Sequence, residues 1–162
     1  MLFQAILVLE DGSVMEGIGF GSKQQSVGEI VFNTSMSGYQ EIITDPSYAK
    51  QIIAFTHPHI GNTGINDEDN ESDNIFASAI VIKDLPKNYS NWRANQSLES
   101  FLLSKNTIGI SNIDTRALTA KLREHGSLKA CIAPGGKESL SKANDALNQF
   151  NGLEGLDLAK EV

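Results

Sequence analysis

The sequence predicts an α+β domain with a strand-rich first half and helices at its periphery. Short apolar runs separated by turn residues occupy much of residues 1–82, which is the pattern of consecutive strands. After residue 97, three stretches with apolar residues at helical spacing alternate with two further short strand patterns. Because the strands come first and do not alternate regularly with helices, this order favours an α+β domain over a doubly wound parallel sheet.

Composition limits the classes of function that fit. The 162 residues suffice for one domain, and 40% hydrophobic with 20% charged residues is a globular composition. The net charge of −7 repels phosphate backbones and anionic headgroups, which argues against binding to nucleic acid or to a membrane surface. The first apolar run has no basic flank and is too short to span a bilayer, so we interpret it as a strand and expect a cytoplasmic protein.

The chain opens with a predicted β-hairpin. An apolar run at residues 5–9 leads into Asp11-Gly12, a pair that tolerates the positive φ of a tight turn, and Phe20 belongs to the return strand. The glycines of GIGFG precede a polar stretch and a strand, whereas a dinucleotide fingerprint needs a helix after the glycine turn. We therefore interpret them as glycines of a bent or bulged strand. Three further strands are predicted at residues 27–32, 51–55 and 76–82.

Three helices are predicted in the second half. Ser97 precedes the first of them as a candidate N-cap. The second is the best delimited, because Asp114 suits the N-cap and Gly126 suits the position after the last turn. Ile113 is placed to pack on Leu118 as a hydrophobic staple. Short strands, TIGIS and LKACIA, flank this helix, and the last helix is marked by Leu140, Ala143, Leu147 and Phe150.

A polar stretch, NTSMSGYQEIITDPSYAKQ (residues 33–51), separates two predicted strands. Turn chemistry explains Gly38, Asp45 and Pro46, and YQEII suits one short helical turn. It leaves a surplus of hydroxyl and amide side chains around them: Asn33, Thr34, Ser35, Ser37, Ser47 and Tyr48. From the residues alone, ordinary turns and a binding surface remain equally good interpretations.

Two stretches resemble metal sites and fail on their spacing. The acidic run DEDNESDNIFAS lacks the glycine at position six and the glutamate at position twelve that a calcium loop needs, and has Ser72 and Ser78 there. His57 and His59 stand two residues apart, but a zinc site needs three or four ligands. Asp67 or Asp69 would have to complete it, and a turn at Pro58 is the simpler reading. We expect no metal in this domain.

The chain has a single cysteine, Cys131, which rules out an internal disulfide or a CxxC motif. One alternative is a cysteine hydrolase that uses Cys131 with His125 or His57 as its base. However, Cys131 lies in an apolar strand pattern, and no G-x-C-x-G elbow holds it on a strained turn. We expect an unreactive thiol packed in the core.

Several long motifs together resemble a known family. GEIVFNTSMSGYQEIITDPSYAKQII, PHIGNTGIND, IKDLP, SNWR and IDTRALTAKLREHG are similar to the N-terminal domain of the small chain of glutamine-hydrolysing carbamoyl phosphate synthase. They run from residue 9 to GLDLAKEV in the order and spacing of that family. One departure is His57, where the family pattern has an aromatic residue such as tyrosine before PHIGN.

The resemblance implies a fold, a division of the chain and an enzyme. It implies a compact β/β/α domain of the swivelling type at residues 1–152, with residues 153–162 starting a linker to a glutamine amidotransferase domain that this sequence does not contain. It also implies a ligase that makes carbamoyl phosphate from glutamine, bicarbonate and ATP for arginine and pyrimidine synthesis. In that enzyme the Cys-His-Glu glutaminase machinery lies in the missing domain, so this part is expected to be non-catalytic.

The resemblance further implies partners and one site residue. The expected partners are the large subunit, the chain's own C-terminal glutaminase domain and L-glutamine, while ATP and divalent metal are used by the large subunit and no cofactor is expected here. Ser47, in TDPSY, matches the family position that contacts glutamine. A hydroxyl can donate to a carboxylate and accept from an ammonium group. A scaffold domain without any ligand contact is the alternative.

Arg116 is a second candidate, and its argument comes from helix electrostatics. It lies in the first turn of a predicted helix, where the helix dipole disfavours a cation by about 0.3–1 kcal/mol. A cation kept at that position suggests a carboxylate partner, either within the domain or across an interface.

Overall fold

A computed structural model describes residues 1–35, 38–56, 74–85 and 97–150. Within these ranges the chain forms seven strands, four α-helices and two short 3-10 turns. In chain order they are β1 (Phe3–Leu9), β2 (Val14–Gly21), β3 (Ser26–Asn33), α1 (Tyr39–Ile43), a 3-10 turn (Pro46–Tyr48), β4 (Gln51–Phe55), β5 (Ala79–Val81), α2 (Leu98–Ser104), β6 (Ile108–Ser111), α3 (Thr115–His125), β7 (Leu128–Pro134), a second 3-10 turn (Lys137–Ser139) and α4 (Leu140–Gln149).

The strands form a closed barrel in the order β1-β2-β6-β5-β4-β3-β7. β1 closes it by pairing antiparallel with both β2 and β7. Four neighbours, β3 to β6, are parallel to one another, whereas β2–β6 and β3–β7 are antiparallel. The carboxyl ends of four adjacent strands therefore meet at one end of the barrel.

The first two strands form the predicted hairpin. Leu7 stands opposite Met15, and the turn closes with the Leu9 amide donating to the Ser13 carbonyl at 2.9 Å. Gly12 takes the positive φ of 92° that the Asp-Gly pair was expected to permit. The Asp11 carboxylate accepts from the Ser13 amide at 2.9 Å, so the aspartate also stabilises the turn.

The glycines of GIGFG lie in β2, where they permit close packing. A Cβ on Gly19 would collide with the Phe3 ring, and one on Gly17 would lie 2.5 Å from the Ser111 carbonyl oxygen. This confirms strand glycines as the interpretation of the motif, since β2 is followed by β3 and not by a helix.

One core fills the barrel and two smaller ones cover it. Alternate strand residues point inward, among them Leu7, Ile52 and Ile110, and α3 closes one end with Leu118 and Leu122. On the outside of the barrel, α2 packs mainly on β2. Together with α1, it joins a cluster that includes Phe20, Tyr39, Ile43, Phe55, Ile80 and Phe101. α4 covers β1 and β7 in a third cluster formed by Ile6, Val8, Cys131, Ala133, Ala143 and Leu147.

The predicted helix boundaries are confirmed at their caps. The Ser97 hydroxyl accepts from the Ser100 amide at 3.1 Å, and Asp114 accepts from the Ala117 amide at 3.0 Å. Gly126 follows α3 with a φ of 75°. Ile113 and Leu118 share the barrel core, as the staple requires.

The fold class is confirmed as α+β, with one correction. The strand predicted at residues 76–82 extends only over Ala79–Val81. β5 lies between two parallel neighbours, and its paired registers with β4 and β6 both cover these three residues alone. No helix in the described part of the chain is long and apolar enough to cross a membrane.

Candidate functional site

Ser47 lies in a rigid turn at the surface. Pro46 and Ser47 open the 3-10 turn before β4, and the Asp45 carboxylate caps it by accepting from the Ser47 amide at 2.9 Å. The Ser47 side chain is exposed, and its hydroxyl makes no hydrogen bond to the residues that the structure describes. The amide is therefore engaged, and the hydroxyl is the group that Ser47 offers to a ligand.

Most other polar side chains of residues 33–51 have structural roles. The Asn33 side chain accepts from the Ser35 amide at 2.8 Å and donates to the Tyr48 hydroxyl at 3.4 Å. The buried Thr44 hydroxyl donates to the Gln40 carbonyl at 2.8 Å. Ser37 falls outside the described residues. Among the described residues, the hydroxyl groups of this stretch without a structural role are those of Thr34, Ser35 and Ser47, which are all exposed.

A cleft of about 850 Å³ opens elsewhere, at the carboxyl ends of the parallel strands. We call it the α3 cleft, since α3 forms one wall. Thr34 follows β3, Thr56 follows β4, Lys83 lies two residues beyond β5 and Asn112 follows β6. In parallel sheets this edge is where ligands bind, because the loops after each strand converge there.

Backbone hydrogen bonds fix the strand ends that line the α3 cleft. The Asn112 amide donates to the Lys83 carbonyl at 2.8 Å, and the Thr56 amide donates to the Asn33 carbonyl at 3.1 Å. Asn112 has a φ of 64°, a left-handed conformation that asparagine tolerates better than most residues. These hydrogen bonds therefore hold in place the strand ends that line the cleft.

Among the described residues that line the α3 cleft, cations outnumber carboxylates. Lys83, Arg116 and Arg123 line it together with Asp84 and Asp114. One oxygen of Asp114 is already committed to capping α3. The Arg123 guanidinium lies 5.4 Å from the centre of the Phe32 ring, a cation–π contact that positions the group without neutralising it.

Arg116 occupies the position that the sequence predicted, in the first turn of α3. It is exposed and forms no ion pair with any residue in the described ranges. The version of the hypothesis in which a carboxylate of the same domain pairs with Arg116 thus finds no support there. The pairing of Arg116 with a carboxylate, either of this domain or across an interface, therefore stays a prediction.

Ser47 and the α3 cleft occupy opposite ends of β4. Ser47 precedes the strand and Thr56 follows it. Thr56 lies five residues beyond Gln51 along the strand, which corresponds to about 16 Å. The two candidate sites are therefore separate surfaces, and the structure does not bring Ser47 and Arg116 together.

Cys131 packs in the core, as predicted. It is fully buried beneath α4, between Val8 on β1 and Val27 on β3 in the strand pairing. Burial raises the pKa of its thiol to about 12, which keeps it protonated at neutral pH. A thiol in this position is a poor nucleophile, which weighs against the cysteine hydrolase alternative.

The remaining sequence candidates lie outside the described residues. These are His57, His59, Asp67 and Asp69, together with most of the acidic run and the proposed linker at residues 153–162. Across the ranges that the structure does describe, no group of three or more His, Cys, Asp or Glu side chains is arranged to hold a metal ion.

Sequence reasoning missed the α3 cleft as a site. Lys83 and Asn112 were not singled out, although each follows a predicted strand. The signal was available in the long connections before β4, β5 and β6, because parallel strands require crossovers of a dozen or more residues. Had these strands been predicted as parallel neighbours, the residues that follow them would have been expected together at one edge of the sheet.

Comparison with known proteins gives a consistent result. The family model described as carbamoyl-phosphate synthase small chain, CPSase domain, matches residues 7–132. The carbamoyl phosphate synthase small chain of Vibrio parahaemolyticus is 55% identical over 98% of this chain, and that of Haemophilus ducreyi is 55% identical over all of it. The Pseudomonas aeruginosa protein of the same name is 52% identical over 98%.

This chain spans about two fifths of the length of these relatives, 42% to 44%. Among solved structures, an aminopeptidase from Aneurinibacillus sp. strain AM-1 is similar with a TM-score of 0.44, 15% identity and coverage of 84% of this chain and 33% of its own. A likeness at that level carries no inference about fold or function.

Proposed function

The chain belongs to the carbamoyl-phosphate synthase small chain family, and from this premise we propose that it is the amino-terminal domain of such a small chain. The observation that carries the proposal is the family match over residues 7–132, supported by relatives that are 55% identical to this chain over 98% or more of its length. We assign residues 1–152 to this domain, and residues 153–162 to the start of a linker towards a glutamine amidotransferase domain. The barrel is in our proposal a β/β/α domain of the swivelling type.

The complete enzyme, in this proposal, makes carbamoyl phosphate for arginine and pyrimidine synthesis in the cytoplasm. The small chain releases ammonia from glutamine, and the large chain combines it with bicarbonate at the expense of ATP. ATP and divalent metal belong to the large chain. The domain described above braces the glutaminase domain, contacts the large chain and needs no cofactor of its own.

The domain is non-catalytic in this proposal, and the state of Cys131 supports that. A glutaminase of this kind needs a reactive thiolate, whereas Cys131 is buried and has a pKa near 12. The chemistry is therefore assigned to the Cys-His-Glu machinery of the glutaminase domain.

Ser47 is the proposed contact of this domain with glutamine. Its hydroxyl is exposed on a turn held by Pro46 and by the Asp45 cap, so little conformational freedom would be lost on binding. The hydroxyl can donate to the α-carboxylate or accept from the α-ammonium group of glutamine. It would fix the end of the substrate that does not react, while chemistry occurs at the side-chain amide.

The test is Ser47→Ala in the whole small chain, combined with the large chain. Because the lost hydrogen bond contributes equally to ground-state and transition-state binding, the KM for glutamine should rise about 2- to 10-fold while kcat changes little. With ammonia as the nitrogen source, the rate should equal that of the wild type. Steady-state kinetics with each nitrogen source measures both.

Ser141→Ala is the matched control, since Ser141 is an exposed serine on α4. It should leave the KM for glutamine unchanged. An unchanged KM in Ser47→Ala as well would remove Ser47 from the site and leave the alternative, a scaffold domain that makes no contact with the ligand.

A further inference from the structure

We propose that the α3 cleft is the docking site for an acidic segment of the large chain. This inference rests on the proposed function, because it takes for granted that the two chains associate. It goes further in naming the surface and the chemistry of the partner. It also assigns to Lys83, Arg116 and Arg123 a role that is separate from that of Ser47.

The charge of the α3 cleft is opposite to that of the chain as a whole. The chain carries a net charge of −7, whereas the described residues that line the cleft include three cations and two carboxylates. The amino end of α3 adds a partial positive charge to the same wall. A cationic cleft on an acidic domain selects an acidic partner and favours its approach.

The cations of the α3 cleft are not satisfied within the described structure. Within the described ranges, none of Lys83, Arg116 and Arg123 forms an ion pair, and the Arg123 guanidinium stacks on the Phe32 ring. By contrast, Lys121, which lies on α3 outside the cleft lining, is paired with Asp11 at 2.9 Å. The same helix thus neutralises one cation internally and directs two others into the cleft.

The spacing of these cations fits a segment of protein chain. Arg116 and Arg123 are seven residues apart, two turns of α3, so they line one face about 10 Å apart. Between them Thr119 and Ala120 line the wall, and Lys83, two residues beyond β5, lines the same cleft. Two acidic side chains on one segment can therefore be met by different cations while the segment packs on Ala120.

Exposure favours a macromolecular partner over a small anion. Lys83, Arg116 and Arg123 are all exposed, as are Thr34 and Asn112. A site for a small ligand usually buries most of the ligand surface. An open cleft with exposed cations instead resembles part of a protein–protein interface.

The experiment measures association of the whole small chain with the large chain by isothermal titration calorimetry at low and at moderate salt. Arg116→Glu and Lys83→Glu should each raise the dissociation constant about tenfold or more, since each places a like charge opposite the acidic segment. The wild-type dissociation constant should rise with salt, and more steeply than that of the variants. Lys142→Glu, an exposed charge reversal on α4, should behave as the wild type.

Three results would overturn the inference. If wild type binds and both charge reversals bind equally well, the cleft is not the docking site, although the proposed function stands. If citrate binds the isolated small chain in an Arg116-dependent manner while association stays unchanged in Arg116→Glu, the cleft is a small-anion site. If the wild-type small chain does not associate with the large chain at all, the proposed function fails together with the inference.

Discussion

At the scale of single residues, exposure and hydrogen bonding separate candidates that look alike in sequence. Ser47 and Thr44 lie three residues apart in one polar stretch, yet the Thr44 hydroxyl is buried and bonded to its own helix while that of Ser47 is exposed. Sequence reasoning could not make this distinction, because both positions suit turn chemistry. The family resemblance selected Ser47, and its environment is compatible with that choice.

The burial of Cys131 makes a prediction that separates the proposed role from a cysteine hydrolase. In the native protein a thiol reagent should modify Cys131 only slowly, because the thiol is covered by α4 and protonated below a pKa of about 12. After unfolding in denaturant, the same reagent should modify it quickly. Rapid stoichiometric modification of the native protein would contradict the proposed packing and revive the hydrolase alternative.

At the scale of elements, local signals predicted starts, ends and turns, but not partners. Asp114, Ser97 and the Asp11-Gly12 pair act as predicted because caps and tight turns depend on a few neighbouring residues. The predicted length of β5 was wrong, because the pairing with β4 and β6 determines the length of this strand and its own apolar run does not. The α3 cleft was missed for the same reason, because its strands become neighbours only in the folded sheet.

The hairpin and α3 are joined by one ion pair whose effect on stability should depend on pH. The Ser13 amide and then Lys121 lower the pKa of Asp11 from 3.8 to about 2. The stabilisation is thus present above pH 4 and is lost as the pH falls towards 2. Asp11→Asn should lower the free energy of unfolding by about 0.2–1 kcal/mol at pH 7, the range for accessible pairs.

Denaturant unfolding of wild type and Asp11→Asn at a series of pH values checks this. The difference in the free energy of unfolding between the two proteins should be constant near neutral pH and should shrink between pH 4 and pH 2. Lys121→Met, which removes the partner and keeps Asp11, should reduce that pH dependence. A difference that persists unchanged at pH 2 would show that the carboxylate charge is not the cause.

At the scale of the whole molecule, barrel closure places two candidate surfaces at opposite ends of β4. β1 and β7 pair although more than a hundred residues of chain separate them, so no local pattern could predict the closure. The closed barrel fixes Ser47 at the amino end of β4 and the α3 cleft at the carboxyl ends of β3 to β6. This arrangement is compatible with the two contacts proposed above, one to a glutaminase domain and one to a large chain.

The central claim is that this domain belongs to a small chain that supplies ammonia to a large chain. Carbamoyl phosphate formation by the large chain, measured with glutamine or with ammonia and with or without the whole small chain, tests it most directly. We predict formation from glutamine only when the small chain is present, and formation from ammonia in either case. Equal formation from glutamine with and without the small chain would contradict the claim.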